Sequence, residues 1–271
     1  MSKPPPHGAR SGPEEQRMQG HWLLAKLGKR VLRPGGIELT NRLIANASPA
    51  AGDRIIEFGP GVGRTASVLL AANPRTYIAV DPNPQGTSAL LKILANYPQA
   101  RLERADAKTT RLPDECADLV VGEAMLSMQS DADKLDIMRE AYRILAPGGR
   151  YAIHELGIRP DDASREFVQG IAKSLSRSIK VGARPLTVPL WSELLTEAGF
   201  CVHYADTNPM HLLEPKRIIS DEGLKGALTF FFNVARNRAA RKRIIGMRQQ
   251  FRKHGDNLQA VAFVAIKPGE V

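Results

Sequence analysis

The chain has 271 residues, 43% of them hydrophobic and 24% charged, ordinary globular values that leave enough apolar side chains for one sizeable core and exclude a wholly disordered chain. No run of about 18 apolar residues occurs and the N-terminus lacks an apolar signal region, so a cytoplasmic protein without a transmembrane helix is expected. The formal net charge of +10 is uneven: residues 236–253 hold eight cations and no acid, residues 1–35 hold seven cations against Glu14 and Glu15, and the remainder is slightly acidic. Cys116 and Cys201 are too few for a disulfide framework and fit no Cys/His metal spacing; both read as buried apolar residues, and no metal site is expected.

Residues 1–16, rich in Pro, Gly and Ser, read as a disordered tail, and residues 17–271 as a single domain. Leu23, Leu24, Leu27, Val31 and Leu32 recur at helical spacing and predict a helix over 18–32, stopped by Pro34-Gly35-Gly36. Leu39, Leu43 and Ile44 predict a second over 37–47, and residues 17–47 together read as a helical lid. Strand-type runs follow at 54–58, 76–80, 100–104, 117–122, 151–155, 201–206 and 260–267. Helical runs separate them at 65–72, 86–97, 130–144 and 188–198. This alternation predicts an α/β fold: a Rossmann-like, doubly wound, mainly parallel seven-stranded sheet with helices on both faces. Residues 157–187 read as a long connection and residues 211–255 as a helical insert before the last strand. Excursions of this kind usually carry substrate elements.

Gly59, Gly61 and Gly63 make a tight turn between the first strand and the next helix, the kind of loop that lets a nucleotide approach the main chain. Gly61-Val62-Gly63-Arg64-Thr65-Ala66 also fits the dinucleotide fingerprint, so a nicotinamide oxidoreductase is a rival on this turn alone. Asp81 ends the second strand, where a carboxylate can accept hydrogen bonds from ribose hydroxyls in either cofactor class. Glu57 separates the two, because an acid beside the turn repels a pyrophosphate but suits a cationic amino-acid group. Asp106 ends the third strand, Asp118 opens the fourth, and Pro147-Gly148-Gly149 precedes the fifth.

With these motifs in this order, residues 37–206 resemble the class I S-adenosylmethionine-dependent methyltransferases, in particular the small-molecule branch that includes quinone-biosynthesis enzymes. The resemblance implies S-adenosylmethionine as cofactor. It implies that Glu57 and the Gly59, Pro60, Gly61 and Gly63 turn hold the methionine portion, Asp81 the ribose, Pro82 the adenine edge, and Asp106 with Ala107 the adenine ring. Gly122 and Glu123 would lie beneath the sulfonium and face the acceptor. Asp118 and the Pro-Gly-Gly turn read as structural. The stretch Gly122-Glu123-Ala124-Met125-Leu126-Ser127-Met128 lacks the Pro-Pro-aromatic motif of base N-methylation and a catalytic cysteine, so both of those chemistries lose support.

Methyl transfer from a sulfonium needs mainly alignment of the nucleophile, with a base only where the acceptor must lose a proton. Candidate bases are Glu123, His154, Glu155 and His21. His154 and Glu155 are neighbours on a strand and point to opposite faces, and Glu155, nearer the strand's carboxyl end, is the one expected to line the cleft. In the insert, Leu228, Phe230, Phe231, Phe232, Val234 and Ala235, with Ile244, Ile245, Met247 and Phe251, read as the apolar face of a lid over a small apolar or aromatic methyl acceptor. The basic run beside them can solvate an outer face, contact an anionic membrane, or bind RNA phosphates. A 6% aromatic content weakens RNA binding. An RNA methyltransferase and a non-catalytic cofactor-binding module with a protein partner stand as the alternatives; oligomeric state is not legible.

Overall fold

A computed structural model describes residues 18–269; the tail expected over residues 1–16 lies outside the described residues. The strand-type runs form one sheet. Its members are β1 (Arg54–Phe58), β2 (Thr76–Val80), β3 (Ala100–Glu103), β4 (Ala117–Glu123), β5 (Leu145–Ile158), β6 (Leu186–Thr187), β7 (Cys201–Pro209) and β8 (Leu258–Ile266). They lie in the order β3-β2-β1-β4-β5-β8-β7, and the two-residue β6 is an addition beside β5. All pairings are parallel except β5 with β8 and β8 with β7. The helices are α1 (Gly20–Lys26), α2 (Gly36–Ala47), α3 (Arg64–Ala71), α4 (Thr87–Leu94), α5 (Asp131–Ile144), α6 (Arg165–Ile179), α7 (Val188–Glu197), α8 (Pro215–Arg236) and α9 (Arg238–Lys253).

The near-continuous apolar runs of β1, β4 and β8 follow from burial on both faces, the normal condition of a parallel sheet covered by helices. Phe58, Tyr151, Trp191, Phe200 and Phe263 fill one face, and Leu39, Leu43, Leu69, Tyr77 and Leu119 the other. β7 is an edge strand whose side chains alternate in exposure; Cys201 stands on its outward face and is exposed, not buried as expected, and Cys116 is half-buried. The chain winds outward from β1 to β3, then returns to β4 on the other side of β1. The resulting switch point opens a crevice at the carboxyl ends of β1 and β4, just past Phe58 and Glu123.

Four further sequence expectations need correction. The first helix ends at Lys26 instead of near Leu32, because Gly28 (φ +103°) turns the chain and the next residues run out to meet Glu222. The connection at 157–187 contains a 15-residue helix, α6, capped where Ser164 Oγ accepts from Phe167 N at 3.2 Å. β5 begins before the Pro147-Gly148-Gly149 turn, which loops out of the ladder between Leu145 and Arg150. In the insert, Phe230, Ile244, Met247 and Phe251 are buried, whereas Leu228, Phe231, Phe232 and Ile245 face outward.

Beyond the end of the sheet, α1, α6, α8 and α9 share a third core containing Leu23, Leu24, Leu175, Phe230, Met247 and Phe251. A polar latch fastens this unit to the segment after α1. Lys29, fully buried, donates to Asp221 Oδ2 at 2.8 Å. Asp221 Oδ1 also accepts from Ile37 N, and Glu222 Oε1 accepts from Arg30 N at 2.7 Å and Val31 N at 2.8 Å. Immediately after this pair the helix breaks at Gly223 (φ 72°, ψ 169°). Removing one member of a buried ion pair strands the other, so Asp221→Ala is expected to lower unfolding free energy by roughly 3–5 kcal/mol. Urea denaturation of the variant and the parent checks this.

Candidate active site

The glycine turn between β1 and α3 is pinned where Gly59 N donates to Val80 O at 2.9 Å. Two of its glycines serve different ends. A Cβ on Gly63, which has φ +82°, would stand 2.7 Å from Ile93 Cδ1, so this residue is needed for the close approach of α4. A Cβ on Gly61 would meet nothing within 4 Å, because Gly61 borders an open cavity of about 380 Å³. That volume lies in the usual range of small-molecule sites.

The cavity sits at the switch point and brings together Glu57, Gly59, Pro60, Gly61, Asp81, Pro82, Asp106, Ala107 and Glu123. Of the residues expected at the cofactor, Gly63 and Gly122 do not line it: Gly63 packs against α4, and the nearest side chain over Gly122 is that of Met125. Asp81 is partly buried, which pushes its carboxyl up, while the N–H groups of Asn83 and Gly61 and nearby Arg104 pull it down. Its Oδ1 accepts from Asn83 N at 2.9 Å. Asp106 is half exposed and accepts from Lys108 N at 2.9 Å. Asp118 has the structural place expected for it, in a two-pronged pair with Arg54 at 2.9 and 2.7 Å.

Glu57 is buried, and Tyr77 donates its phenol proton to it. Burial raises the carboxyl to about 8 against this hydrogen bond, so the folded protein holds it protonated near neutrality. Glu123 behaves oppositely. Burial opposes its charge as well, but Arg33 and the hydrogen bonds from His154 and Thr40 outweigh burial and bring it down to about 2. Its Oε2 pairs with Arg33 Nη1 at 3.3 Å and accepts from Thr65; its Oε1 accepts from Thr40 Oγ1 at 2.5 Å and from His154 Nδ1 at 2.9 Å.

His154 is fully buried in this network. Gly35 N donates to His154 Nε2 at 3.0 Å, so Nε2 carries the lone pair and Nδ1 the proton, and burial holds the imidazole neutral by lowering its pKa. With both nitrogens engaged, His154 is placed to orient Glu123, not to take a proton. The expectation that Glu155 lines the cleft is corrected. It is buried on the other face of β5, where its oxygens accept from the backbone N–H of Met125, Leu126 and Ser127 at 2.9, 2.8 and 2.9 Å and from Ser127 Oγ at 2.7 Å. It holds a short turn after β4 and does not face the cavity.

The segment before β1 contributes Trp22, expected with His21 on a first helix that could cover the cofactor, and Arg33, which sequence spacing did not indicate. The Trp22 ring is tilted against that of His21, with centroids 5.0 Å apart, and Trp22 and Arg33 both border the cavity. Arg33 lies in an irregular stretch with no periodicity to mark it. Its side chain is only 7% exposed, Nη1 donates to Thr65 Oγ1 at 2.8 Å, and Nε and Nη2 have no partner among the described residues. Burial lowers His21 to about 4, so it is neutral near pH 7. His21, Leu32, Ala124 and Met128 border both this cavity and a second, apolar one of about 70 Å³, walled by Leu24, Leu175, Ile179, Met247 and Phe251 among others. Among the described residues no group of three or more His, Cys, Asp or Glu is placed to hold a metal ion.

A doubly wound sheet with a glycine turn and an acid after each of its first strands defines a Rossmann-like nucleoside-cofactor enzyme. Residues 56–153 match the family described as a methyltransferase domain. An uncharacterized protein of Haemophilus influenzae is 32% identical over 252 residues, which cover 91% of this chain and 96% of the relative. Ribosomal RNA small subunit methyltransferase A of Methylobacterium radiotolerans is 39% identical, over 71 residues that cover 26% of this chain and 24% of the relative. Among solved structures, a phosphoethanolamine N-methyltransferase of Haemonchus contortus in complex with phosphomonomethylethanolamine and S-adenosylhomocysteine superposes with a TM-score of 0.68 at 16% identity, covering 96% of this chain and 59% of that one. The chain belongs to the class I S-adenosylmethionine-dependent methyltransferases, and its cofactor is S-adenosylmethionine. The residues present fit that group: the cavity has the size, Gly61 leaves its main chain open, and the unpartnered nitrogens of Arg33 offer donors to a carboxylate.

The Glu57 carboxyl carries a pH signature. The folded protein keeps this proton up to about 8, whereas an unfolded chain releases it near the ordinary 4.5, so over that window the unfolded state binds fewer protons and stability falls as pH rises. Glu57→Gln is expected to remove this part of the slope. Urea unfolding of cofactor-free parent and variant near pH 5 and near pH 8 measures it.

Proposed function

We propose that this methyltransferase acts on a small, apolar or aromatic metabolite whose reacting atom is held at the wall between the two cavities. The observation that carries this reading is the adjacency itself: a partly polar site of cofactor size and a small apolar site share His21, Leu32, Ala124 and Met128. A volume of about 70 Å³ admits only the reacting end of an acceptor, which suits a small apolar group and not an extended polar one.

Bound S-adenosylmethionine supplies a methyl group already activated by its sulfonium. The chain's part is placement, and alignment alone can account for roughly 7–11 kcal/mol of a barrier. In this reading Asp81 accepts from the ribose hydroxyls, and Pro82, Asp106 and Ala107 border the adenine. The Gly59–Gly63 turn takes the amino-acid portion, with Arg33 on its carboxylate and with Glu57, protonated in the cofactor-free chain, giving up its proton when the ammonium binds beside it. Glu123, saturated by Arg33, Thr40, Thr65 and His154, holds these walls together and has no lone pair directed at an acceptor proton. His21 is the titratable member of the shared wall, and with a pKa of about 4 it is a weak base. The chemistry is therefore driven by positioning, and acceptors needing little deprotonation fit best.

The RNA reading is less well supported. Its relative covers about a quarter of the chain, and a small cavity walled mainly by aliphatic side chains offers a base little to stack on.

A screen with labelled methyl donor across metabolite classes is expected to find apolar or aromatic acceptors, and labelling of RNA alone would overturn the proposal. Asp81→Ala is expected to weaken S-adenosylhomocysteine binding by about a hundredfold through lost charge-assisted hydrogen bonds, measured by isothermal titration. Ile179→Phe, which fills the apolar cavity, is expected to lower kcat/KM by roughly a hundredfold while leaving that affinity unchanged. An unchanged kcat/KM would place the acceptor elsewhere.

A further inference from the structure

Past its break at Gly223, α8 presents an apolar stripe that no core uses. Leu224, Leu228 and Phe232 are 71%, 69% and 58% exposed, with Phe231 beside them. The spacing of four puts them on one face of the helix, while Ala227 and Phe230 take the buried face. Single exposed apolar side chains are common, but a row of large ones along two turns marks an interaction surface.

The stripe has a cationic rim. The Arg236 guanidinium stands 5.2 Å over the Phe232 ring, and Arg241 Nη1 donates to Ala235 O at 3.3 Å, bringing the first turns of α9 onto the end of the stripe. Lys225, Arg238 and Lys242 are exposed on the same two helices. From residue 223 to residue 255 the sequence holds nine Lys and Arg and no acid.

We propose that this face of α8, with the N-terminal turns of α9, docks on a membrane surface containing anionic phospholipid. The Leu and Phe side chains enter the acyl boundary, and the rim cations meet the lipid phosphates above it, the arrangement by which an amphipathic helix lies in the interface. Charge selects this occupant over others. A second copy meeting the same face by two-fold symmetry sets cation against cation, and RNA gains nothing from Leu224 and Leu228, which give bases no ring to stack on. Docking is also tied to the site. Asp221 and Glu222, just before the break, hold the segment that carries Leu32 and Arg33, so a docked α8 fixes the cavity walls at a set height above the lipid.

Sedimentation with vesicles of phosphatidylcholine alone, and of phosphatidylcholine mixed with phosphatidylglycerol, tests the proposal. Binding to the mixed vesicles is expected, with little to phosphatidylcholine and weakening as salt rises. The double variant Leu228→Glu, Phe232→Glu is expected to lose vesicle affinity by about a hundredfold, and Arg238→Ala, Lys242→Ala by roughly tenfold. All four positions are exposed, so thermal unfolding and S-adenosylhomocysteine binding should be unaltered. The proposal is overturned by absence of binding to either vesicle, by equal binding to both, or by full binding of the Glu variant. It also falls if light scattering shows a dimer that the Glu variant converts to monomer, or if the parent shifts RNA but not vesicles.

Discussion

Glu123 is a carboxylate taken out of water at the end of β4, and four neighbours make that position tolerable: Arg33 from the segment after α1, Thr40 from α2, Thr65 from α3 and His154 from β5. A buried charge without such partners would be neutralised or would unfold its surroundings. Because each partner sits on a different element, satisfying one side chain fixes the lid, the first helix after the glycine turn and two central strands relative to one another. The cavity is the space this arrangement leaves open. His154 extends the network to the backbone of Gly35, so the lid is tied down by main chain as well as by charge.

A second group of buried charges performs the same service farther out. Lys29 with Asp221, and Glu222 with the N–H groups of residues 30 and 31, join the insert to the lid. The two groups are in series through Lys29–Arg33, so the insert and the cavity are connected by a short stretch of chain. A change in the insert can therefore be felt at the cofactor without any direct contact.

Much of this was legible in the sequence, for identifiable reasons. β1, β2 and β4 are short apolar runs bounded by glycine, proline or acid; Glu57 and Asp81 sit at the ends of β1 and β2, and Asp106 lies just past β3, where α/β sheets place ligand groups. Adjacent placement also shows that His154 and Glu155 point to opposite faces, but which face meets the cleft depends on the register of β5 against β4, and that cannot be read from one strand. The helix at Arg165–Ile179 has regular apolar spacing at Val168, Ile171, Leu175 and Ile179, hidden by the exposed Gly170 and a polar composition. Arg33, Asp221 and Glu222 were invisible because their importance lies in partners 32 to 192 residues away. In the insert, composition identified the apolar residues but not the turn at Gly223, which decides which of them point outward.

The insert leaves the sheet after Pro209 and returns at Leu258, and Pro209 is the register partner of Gln259. Its two ends are thus side by side on neighbouring strands, already joined by the ladder. A segment anchored in this way can grow, shrink or be exchanged with only a slowly rising entropic cost of closing the loop. One half of the enzyme is constrained by a cofactor common to a large family, while the half proposed to meet the acceptor hangs from a two-strand bracket. New acceptor preferences can arise by replacing what the bracket carries, with the sheet beneath unchanged.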